Sequence, residues 1–564
     1  MNVNFRNIVL VCVLLLSIQN VYTVYAQTDN PVIAAIQKEV DRNMSQLKME
    51  GMLSPFFISY SVLDRYDCNL SATLGSISSY YEVHIRRGLP TLLVGNYHRN
   101  NLKLPERPAY PSTTSLVDNT TGIPITVWRD LDGVYKNAIE MYQSKMAILQ
   151  QQTQTEEEKN LPDFEQVEPV NMVMQSIPLN FNRAYWENYL RKASETASQY
   201  PEILSSIVSL NVRGVMTSTY NTEGSRYATP NTFYQLTFTA NTRAADGQDL
   251  NYTIYEENAT FDQMPDLATF TNRCKTMMEN LLKLKNAPVV DDAYSGPVLF
   301  EGKGLYNLFV QAFLSNNKLA AAPKMVQMPQ PSNYIIVNGV PQLASGQQGG
   351  NDFELMLNKK VISRDLSIKS ITGQEFYKGQ RLNGYYPVDA EGVVPDKELT
   401  LIENGVLRNL LNGRKPTNKI HHTNGHARYD YNANASRVIA GNILITCKQT
   451  YSYDALRKKL MDAAREEDLD YAYVVKEMSG GVNFFYKVFV ADGREELVRG
   501  AAISEGASLR PFKRILGASD KEQIDSYGSI QTTIISPNAL LFEEMDVTRM
   551  PNIEFKKPYV VTKP

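Results

Sequence analysis

Residues 294–305 read Tyr-Ser-Gly-Pro-Val-Leu-Phe-Glu-Gly-Lys-Gly-Leu. Gly296-Pro297, with Pro288 just upstream, interrupts a continuous helix or strand and marks a join between two parts of the chain. Beyond it, Leu305, Leu308, Phe309, Ala312 and Phe313 recur at helical spacing, so a helix face is expected there. The chain is therefore read as an N-terminal domain, 27–287, and a C-terminal domain, 288–564.

Upstream of the join, Asn30-Pro31 resembles an N-cap followed by proline at the first helical position. Ile33, Ile36, Val40, Met44 and Leu47 then form a helical stripe, with strand candidates at Phe57–Val62 and Tyr81–Ile85. The same order returns later. Ala184–Ala197 reads as a helix with Trp186, Tyr189, Leu190, Ala193 and Ala197 on one side. Alternating strands follow at Val208–Val212, Tyr234–Ala240 and Leu250–Ile254, with Asp246-Gly247 turning between the last two. The segments 30–110 and 180–260 fit an internal duplication. They also fit coincidence, because helix–strand–strand is a common unit. A longer helix holding Ile139, Tyr142, Met146 and Leu149 joins them and runs into the polar stretch Gln150–Asn160, whose Glu156-Glu157-Glu158 needs no functional explanation.

Downstream, Pro323–Gly350 is long and rich in Pro, Gln and Gly, and reads as a mobile or functional loop. Short strands then dominate: Leu366–Ile371, Leu399–Ile402, Ile443–Ile445, Tyr473–Val475, Phe484–Val490 and Ile530–Ile535. One helix interrupts them, Tyr453–Glu466, with Leu456, Leu460 and Ala463 inward. The fold class expected is α+β: a duplicated helix-plus-antiparallel-sheet domain, then a largely antiparallel β-domain with a barrel-like or sandwich core.

The 564 residues are 43% hydrophobic and 21% charged, an ordinary globular composition. The net charge of −3 and the lack of a basic stripe argue against nucleic-acid binding. Arg6, an apolar run from Ile8 to Leu16 and Val24-Tyr25-Ala26 read as a signal peptide over residues 1–26, too short to span a bilayer, so export to a periplasmic or extracellular location is expected. No later segment is apolar enough to cross a membrane. Cys68, Cys274 and Cys447 remain, which admits one bridge plus a thiol or three free thiols. A Gly-rich phosphate loop and a Gly-x-Ser-x-Gly elbow are both missing.

Phe300-Glu301-Gly302-Lys303-Gly304-Leu305 resembles the start of the C-terminal domain of the TldD/PmbA (TldD/TldE) metallopeptidase family. The active branch of that family carries His-Glu-x-x-x-His on a helix here; this chain keeps the glutamate and has phenylalanine and leucine at the histidine positions. Further blocks are similar to the family in order and spacing: Asp389-Ala390-Glu391-Gly392, Leu401–Leu407, Asn412-Gly413-Arg414, Thr423-Asn424-Gly425-His426-Ala427-Arg428 and the tail Ser536–Glu544. Tyr220-Asn221-Thr222-Glu223-Gly224 resembles a turn in the N-terminal half.

The resemblance implies a zinc site with Glu301 as general base on a metal-bound water, whose pKa zinc lowers from 15.7 to about 7. Benzyl and isobutyl groups coordinate nothing. The third ligand, a late cysteine in the active branch, has no counterpart after Cys447, and Tyr527–Gln531 offers only hydroxyls and an amide. The expectation is therefore that no metal is bound. Glu301 alternatively serves as a solvent-facing or helix-end carboxylate. His421, His422, His426 and Arg428 are candidate binding residues of a cleft loop. His422 and His426 have the i, i+4 spacing of a metal pair, but Thr423-Asn424-Gly425 between them favours a turn, and His426 falls where the family usually has asparagine. The function implied is a non-catalytic subunit of the TldE type. It would form a homodimer, or a heterodimer with a metal-bearing paralogue, around an extended or unfolded peptide. The alternatives are an active peptidase using His422, His426 and Glu301, and a stand-alone exported peptide-binding or structural protein.

Overall fold

Asn30 caps the first helix, α1 (Pro31–Gln46), its side-chain oxygen accepting from the N–H groups of Val32 and Ile33 at 3.0 and 3.1 Å. The computed structural model describes residues 30–550, apart from 105–111, 119–120, 180, 291–292, 316, 327–333, 338–339, 344–351, 431–434, 480, 505–507 and 529–530. The expected signal segment, 1–26, lies outside the described residues. After α1 come two 19-residue strands, β1 (Pro55–Thr73) and β2 (Ser76–Val94), and then α2 (Gly122–Gln151). The second half supplies α3 (Arg183–Glu195), β3 (Ser205–Asn221), β4 (Arg226–Arg243), β5 (Asp249–Asn258) and α4 (Leu267–Lys285). The Asp246-Gly247 turn forms as expected, with the Gly247 N–H donating to Ala244 O at 3.0 Å and φ at +98°.

Helix, long hairpin, helix thus occurs twice, and the two halves share one sheet. β1 pairs antiparallel with β3, Tyr66 opposite Gly214, in a seven-stranded sheet ordered Ser112–Thr113, β2, β1, β3, β4, Asn171–Val173, with β5 also on β4. Strand alternation puts Ile58, Tyr60 and Val62 under α1 and α2 at one end, and Leu70 and Ala72 under α3 and α4 at the other. All five positions named above on α3 and its 3₁₀ extension are buried.

The C-terminal end of α2 departs from its apolar reading. Its most buried side chain there is Lys145, 1% exposed, which donates to Asn100 O and Leu102 O at 3.0 and 2.7 Å and pairs with Asp163 at 2.5 Å. Beyond it, Thr155 and Glu158 form a capping box on the single-turn helix Glu156–Asn160, so one member of the acidic run is a cap.

The C-terminal part is a two-sheet sandwich. One sheet centres on β6 (Tyr294–Glu301), which α5 (Gly302–Phe309) follows directly. The other contains β7 (Leu366–Ser370) and β8 (Leu399–Glu403). β9 (Ala427–Asp430) forms a hairpin with Ala435–Val438; next come β10 (Asn442–Cys447), α6 (Tyr453–Glu466), β11 (Tyr471–Ser479), β12 (Val482–Phe489) and β13 (Glu495–Val498). The chain closes with β14 (Ile515–Ser519), β15 (Glu522–Tyr527), β16 (Thr532–Pro537) and β17 (Ala539–Arg549). β6 lies between β17, antiparallel, and β11, parallel; β10 and β16 are also parallel, so the antiparallel pattern is broken at the centres of both sheets. Val298, Phe300, Val475 and Phe542 from one sheet and Ile368, Leu401, Ile443 and Ile534 from the other make one core. In α6 the third inward residue is Ala464 rather than Ala463, one position from the expectation. Of Pro323–Gly350, a hairpin pairs Tyr334–Val337 with Val340–Leu343; most of the remaining stretch lies outside the described residues.

The six residues at the join correct the expectation of a single helix. Phe300 and Glu301 end a strand, with Phe300 opposite Leu540 and Val475, and the helix starts only at Gly302, φ +52°. The apolar run Val298–Phe300 is buried on both sides by neighbouring strands, and that pairing outweighs the helical spacing that begins at Leu305. Cys68, Cys274 and Cys447 are all free thiols.

Candidate functional site

Glu301 sits where β6 hands over to α5 but caps nothing: its side chain bonds no helix N–H. It accepts a hydrogen bond from the Tyr453 hydroxyl and lies 3.6 Å from Lys476 Nζ, which also contacts Glu495 at 3.3 Å. Both side chains at the expected imidazole positions, Phe300 and Leu305, have no exposed surface. Phe300 stacks edge-on to Phe542 with ring centroids 5.5 Å apart. This corner is a packed core with an ion-paired rim.

The other blocks that resemble the family come together elsewhere. Arg414, with 0% exposure, donates to Glu223 at 2.6 Å and to Glu165 O at 2.8 Å, and its guanidinium lies 4.1 Å from the Phe164 ring centroid. Glu223 is on the turn between β3 and β4, so this buried pair ties the N-terminal sheet to a C-terminal loop. Tyr97 donates to the same Glu223 oxygen at 2.8 Å, and burial, then that carboxylate, raises the Tyr97 pKa. Glu391 accepts from the Arg414 N–H at 2.6 Å. Asp389 accepts from three backbone N–H groups, Glu391 and Val393 at 2.9 and 2.8 Å and Ala427 at 3.0 Å. Burial and the nearby Glu391 push its carboxyl up to about 7 against those donors.

The histidines separate on folding. His426 is fully buried: Nδ1 bonds Asn424 Oδ1 at 2.8 Å and Nε2 bonds Ser370 Oγ at 2.8 Å. Asn424 Oδ1 also accepts the Asn412 N–H, so it is an acceptor, and His426 carries its proton on Nδ1. Burial lowers its pKa to about 3, which keeps it neutral. His422 is exposed and bonds Glu165 through Nδ1 at 2.9 Å; His421 bonds Asn418 O at 3.0 Å. Thr423-Asn424-Gly425 is a turn, with Gly425 at φ +73°, so His422 and His426 share no helix face. Neither shares a partner with Glu301, and among the described residues no group of three His, Cys, Asp or Glu side chains is placed to hold a metal ion.

Arg428 is the candidate that faces a cleft. It lines a cavity of about 130 Å³ between the N-terminal sheet and the C-terminal sandwich, with Tyr227, Tyr386, Tyr429, Asp389 and Gln531. Its guanidinium lies 5.0 Å from the Tyr386 ring centroid and donates to Ala440 O at 2.8 Å. Gln531, at the end of the Tyr527–Gln531 stretch, is buried and bridges Asn231 and Thr232 across the cleft at 2.9 and 2.8 Å. The residues overlooked in the sequence are Glu257 and Glu477, which sit in strands and match no motif. Burial raises both carboxyls to about 7, opposed by Lys303 on α5. One Glu257 oxygen accepts from Gln235 at 2.6 Å, and the other is buried without a hydrogen-bond partner.

Residues 342–549 match the sequence profile described as the PmbA/TldA metallopeptidase C-terminal domain. The match covers the C-terminal part of the chain and supports the TldD/PmbA family there. Solved structures share the fold of the chain. A candidate modulator of a DNA gyrase from Thermotoga maritima superposes with a TM-score of 0.56 at 15% identity, over 91% of this chain and 100% of that one. TldE from Thermococcus kodakarensis gives 0.53 at 12%, over 91% and 100%. A candidate modulator of DNA gyrase from Bacteroides thetaiotaomicron gives 0.54 at 11%, over 92% and 98%. No curated protein matches the chain in sequence.

Proposed function

We propose that this chain is a non-catalytic, TldE-type subunit of a TldD/PmbA assembly concerned with proteolysis or peptide processing. The observation that carries the reading is the state of Phe300 and Leu305. At the positions the resemblance assigns to zinc ligands, two hydrocarbon side chains are completely buried in a packed core. Zinc would have to be held by deprotonated or neutral donor atoms around an open coordination position, and this corner supplies a tyrosine, a lysine and two glutamates already paired with one another. Glu301 as a general base is correspondingly disfavoured.

In this reading the chain has an N-terminal domain, 27–287, and a C-terminal domain, 288–564, and is exported after removal of residues 1–26. It forms a dimer, with itself or with a metal-bearing paralogue, around an extended or unfolded peptide. The similarity to TldE supports such a pairing. No helix among the described residues is long and apolar enough to cross a membrane.

The test is elemental analysis and peptide hydrolysis with the purified mature chain, alone and co-expressed with a paralogue carrying His-Glu-x-x-x-His. The expected result is sub-stoichiometric zinc and no cleavage alone, with co-purification and cleavage in the pair. Stoichiometric zinc together with chelator-sensitive cleavage by the chain alone would overturn the reading.

A further inference from the structure

The middle of the N-terminal sheet lies between the stretch under α1 and α2 and the stretch under α3 and α4. There His84 on β2, Tyr66 on β1, Gly214 on β3 and Thr232 on β4 stand opposite one another in one row across four strands. Residues 174–181, which lead into α3, pass over this row. A β-carbon at Gly214 would lie 2.7 Å from Leu179 Cδ1, so Leu179 fills the notch that the missing side chain leaves. Ile177, Leu179 and Phe181 wall a groove of about 440 Å³, lined also by Tyr66, Gly214 and Met216.

Side chains rather than a strand ladder hold this segment. Asn171–Val173 pairs parallel with Arg226–Ala228 on β4, and the chain leaves that edge after Met174, whose N–H donates to Ala228 O at 2.9 Å. Among the described residues, the remaining backbone bond within 174–181 is local, from Phe181 N–H to Leu179 O at 2.7 Å. Pro178 has no N–H to give and disfavours helix at Ile177. Leu179 and Phe181 pack against the core under α3 and α4, while Ile177 stays 37% exposed. A segment with so few backbone bonds opens at lower cost than the sheet beneath it. Apolar side chains at every second position, Ile177, Leu179 and Phe181, are the pattern by which an extended chain lays one side on a surface. The groove thus already holds a short extended peptide, one that belongs to the chain itself.

We propose that the groove over Gly214 binds an extended peptide with apolar side chains at alternate positions, and that residues 174–181 occupy it in the free chain and lift when such a peptide enters. The proposal rests on the peptide part of the function proposed above; neither zinc nor a paralogue enters it. Occupancy by the chain's own segment lowers the apparent affinity for an outside peptide by the fraction of molecules in which the groove is open.

Fluorescence anisotropy with the mature chain and a labelled peptide of its own residues 173–181, Val-Met-Gln-Ser-Ile-Pro-Leu-Asn-Phe, tests it. Weak binding to the wild type is expected, tightened about tenfold by Leu179→Ser, which empties the notch. The same peptide with serine in place of its Ile, Leu and Phe should not bind. Gly214→Val added to Leu179→Ser refills the notch and should abolish the gain; Gly214 has no positive φ, and valine suits a strand. Excess peptide should also speed protease cleavage of the wild-type chain within 174–181. No binding to folded Leu179→Ser, or binding undiminished in the folded double variant, overturns the proposal whatever the zinc and hydrolysis results. Where a variant has a lowered melting temperature, the wild-type cleavage decides, and cleavage unchanged by the peptide overturns the proposal. Stoichiometric zinc with cleavage by the chain alone would overturn the subunit reading and leave the groove untouched.

Discussion

The side chains of Phe300 and Leu305 and the loop knot around Arg414, Asp389 and His426 are equally buried and chemically opposite. The first is hydrocarbon: Phe300 and Leu305 belong to the core shared by both sandwich sheets. The second is ionic and amide-rich, with the side chains of Arg414, Glu223, Asp389 and His426 nearly or wholly inaccessible. Hydrophobic packing tolerates repacking at modest cost, whereas a buried charge depends on one specific partner. A ligand position can therefore be absorbed into a core, while the knot has to keep its residues to hold the N-terminal sheet against the sandwich.

That contrast is broken most directly at Arg414. Replacing it with methionine strands Glu223 without its cation, and a loss of about 3–5 kcal/mol is expected in urea unfolding. Adding Glu223→Gln should recover part of the loss; strictly additive losses would mean that the pair is not the connection between the two parts. The corresponding change in the apolar corner is Phe300→His. It leaves unfilled volume and a polar ring in a dry core, for an expected cost of about 3 kcal/mol. Leu305→His added to it should confer neither zinc binding nor hydrolysis, read by elemental analysis and a peptide assay, because the two positions lie on a strand and a helix without a third ligand.

Glu257 sharpens the comparison, being buried with one oxygen unpartnered. Its folded pKa of about 7 stands above the ordinary 4.5. The folded state therefore binds the proton more tightly than the unfolded state. The resulting stabilisation is complete below pH 4.5 and is lost as pH rises through 7. Glu257→Gln should gain about 1–2 kcal/mol at pH 8 relative to the wild type and nothing at pH 4. Equal effects at the two pH values would refute the burial argument. The smallest effect is expected from Glu301→Gln, within about 0.5 kcal/mol, since its contacts are partly exposed and screened. Loss of a peptidase activity on that change alone would restore Glu301 as a base.

Much of the fold was legible because periodicity reports burial. The stripe on α3, the alternation in β3, β4 and β5, and the Asp246-Gly247 turn all correspond to observed elements. Lys145 was not legible: a lysine on a helix reads as solvated until three acceptors surround it. The Glu156–Glu158 run gained only a cap. In the candidate site, Arg428 lies beside a cleft, whereas His426 turns inward and His422 outward. Glu257 and Glu477 were invisible because desolvation, which raises their pKa values, is a property of neighbours distant in sequence.

The sequence by itself determined the local alternatives: which segments could be helix or strand, and that hydrocarbon side chains stand where the family resemblance places zinc ligands; Gly296-Pro297, read as an interruption, lies inside β6. The local alternatives follow from side-chain chemistry and spacing along the chain. Only the tertiary structure decided that Phe300 and Glu301 end a strand, that β1 and β3 fuse two halves into one sheet, and that Glu223 meets Arg414. Each of these depends on pairing between residues far apart in the chain, whose energy is gained only when the partner strand or the opposite charge arrives.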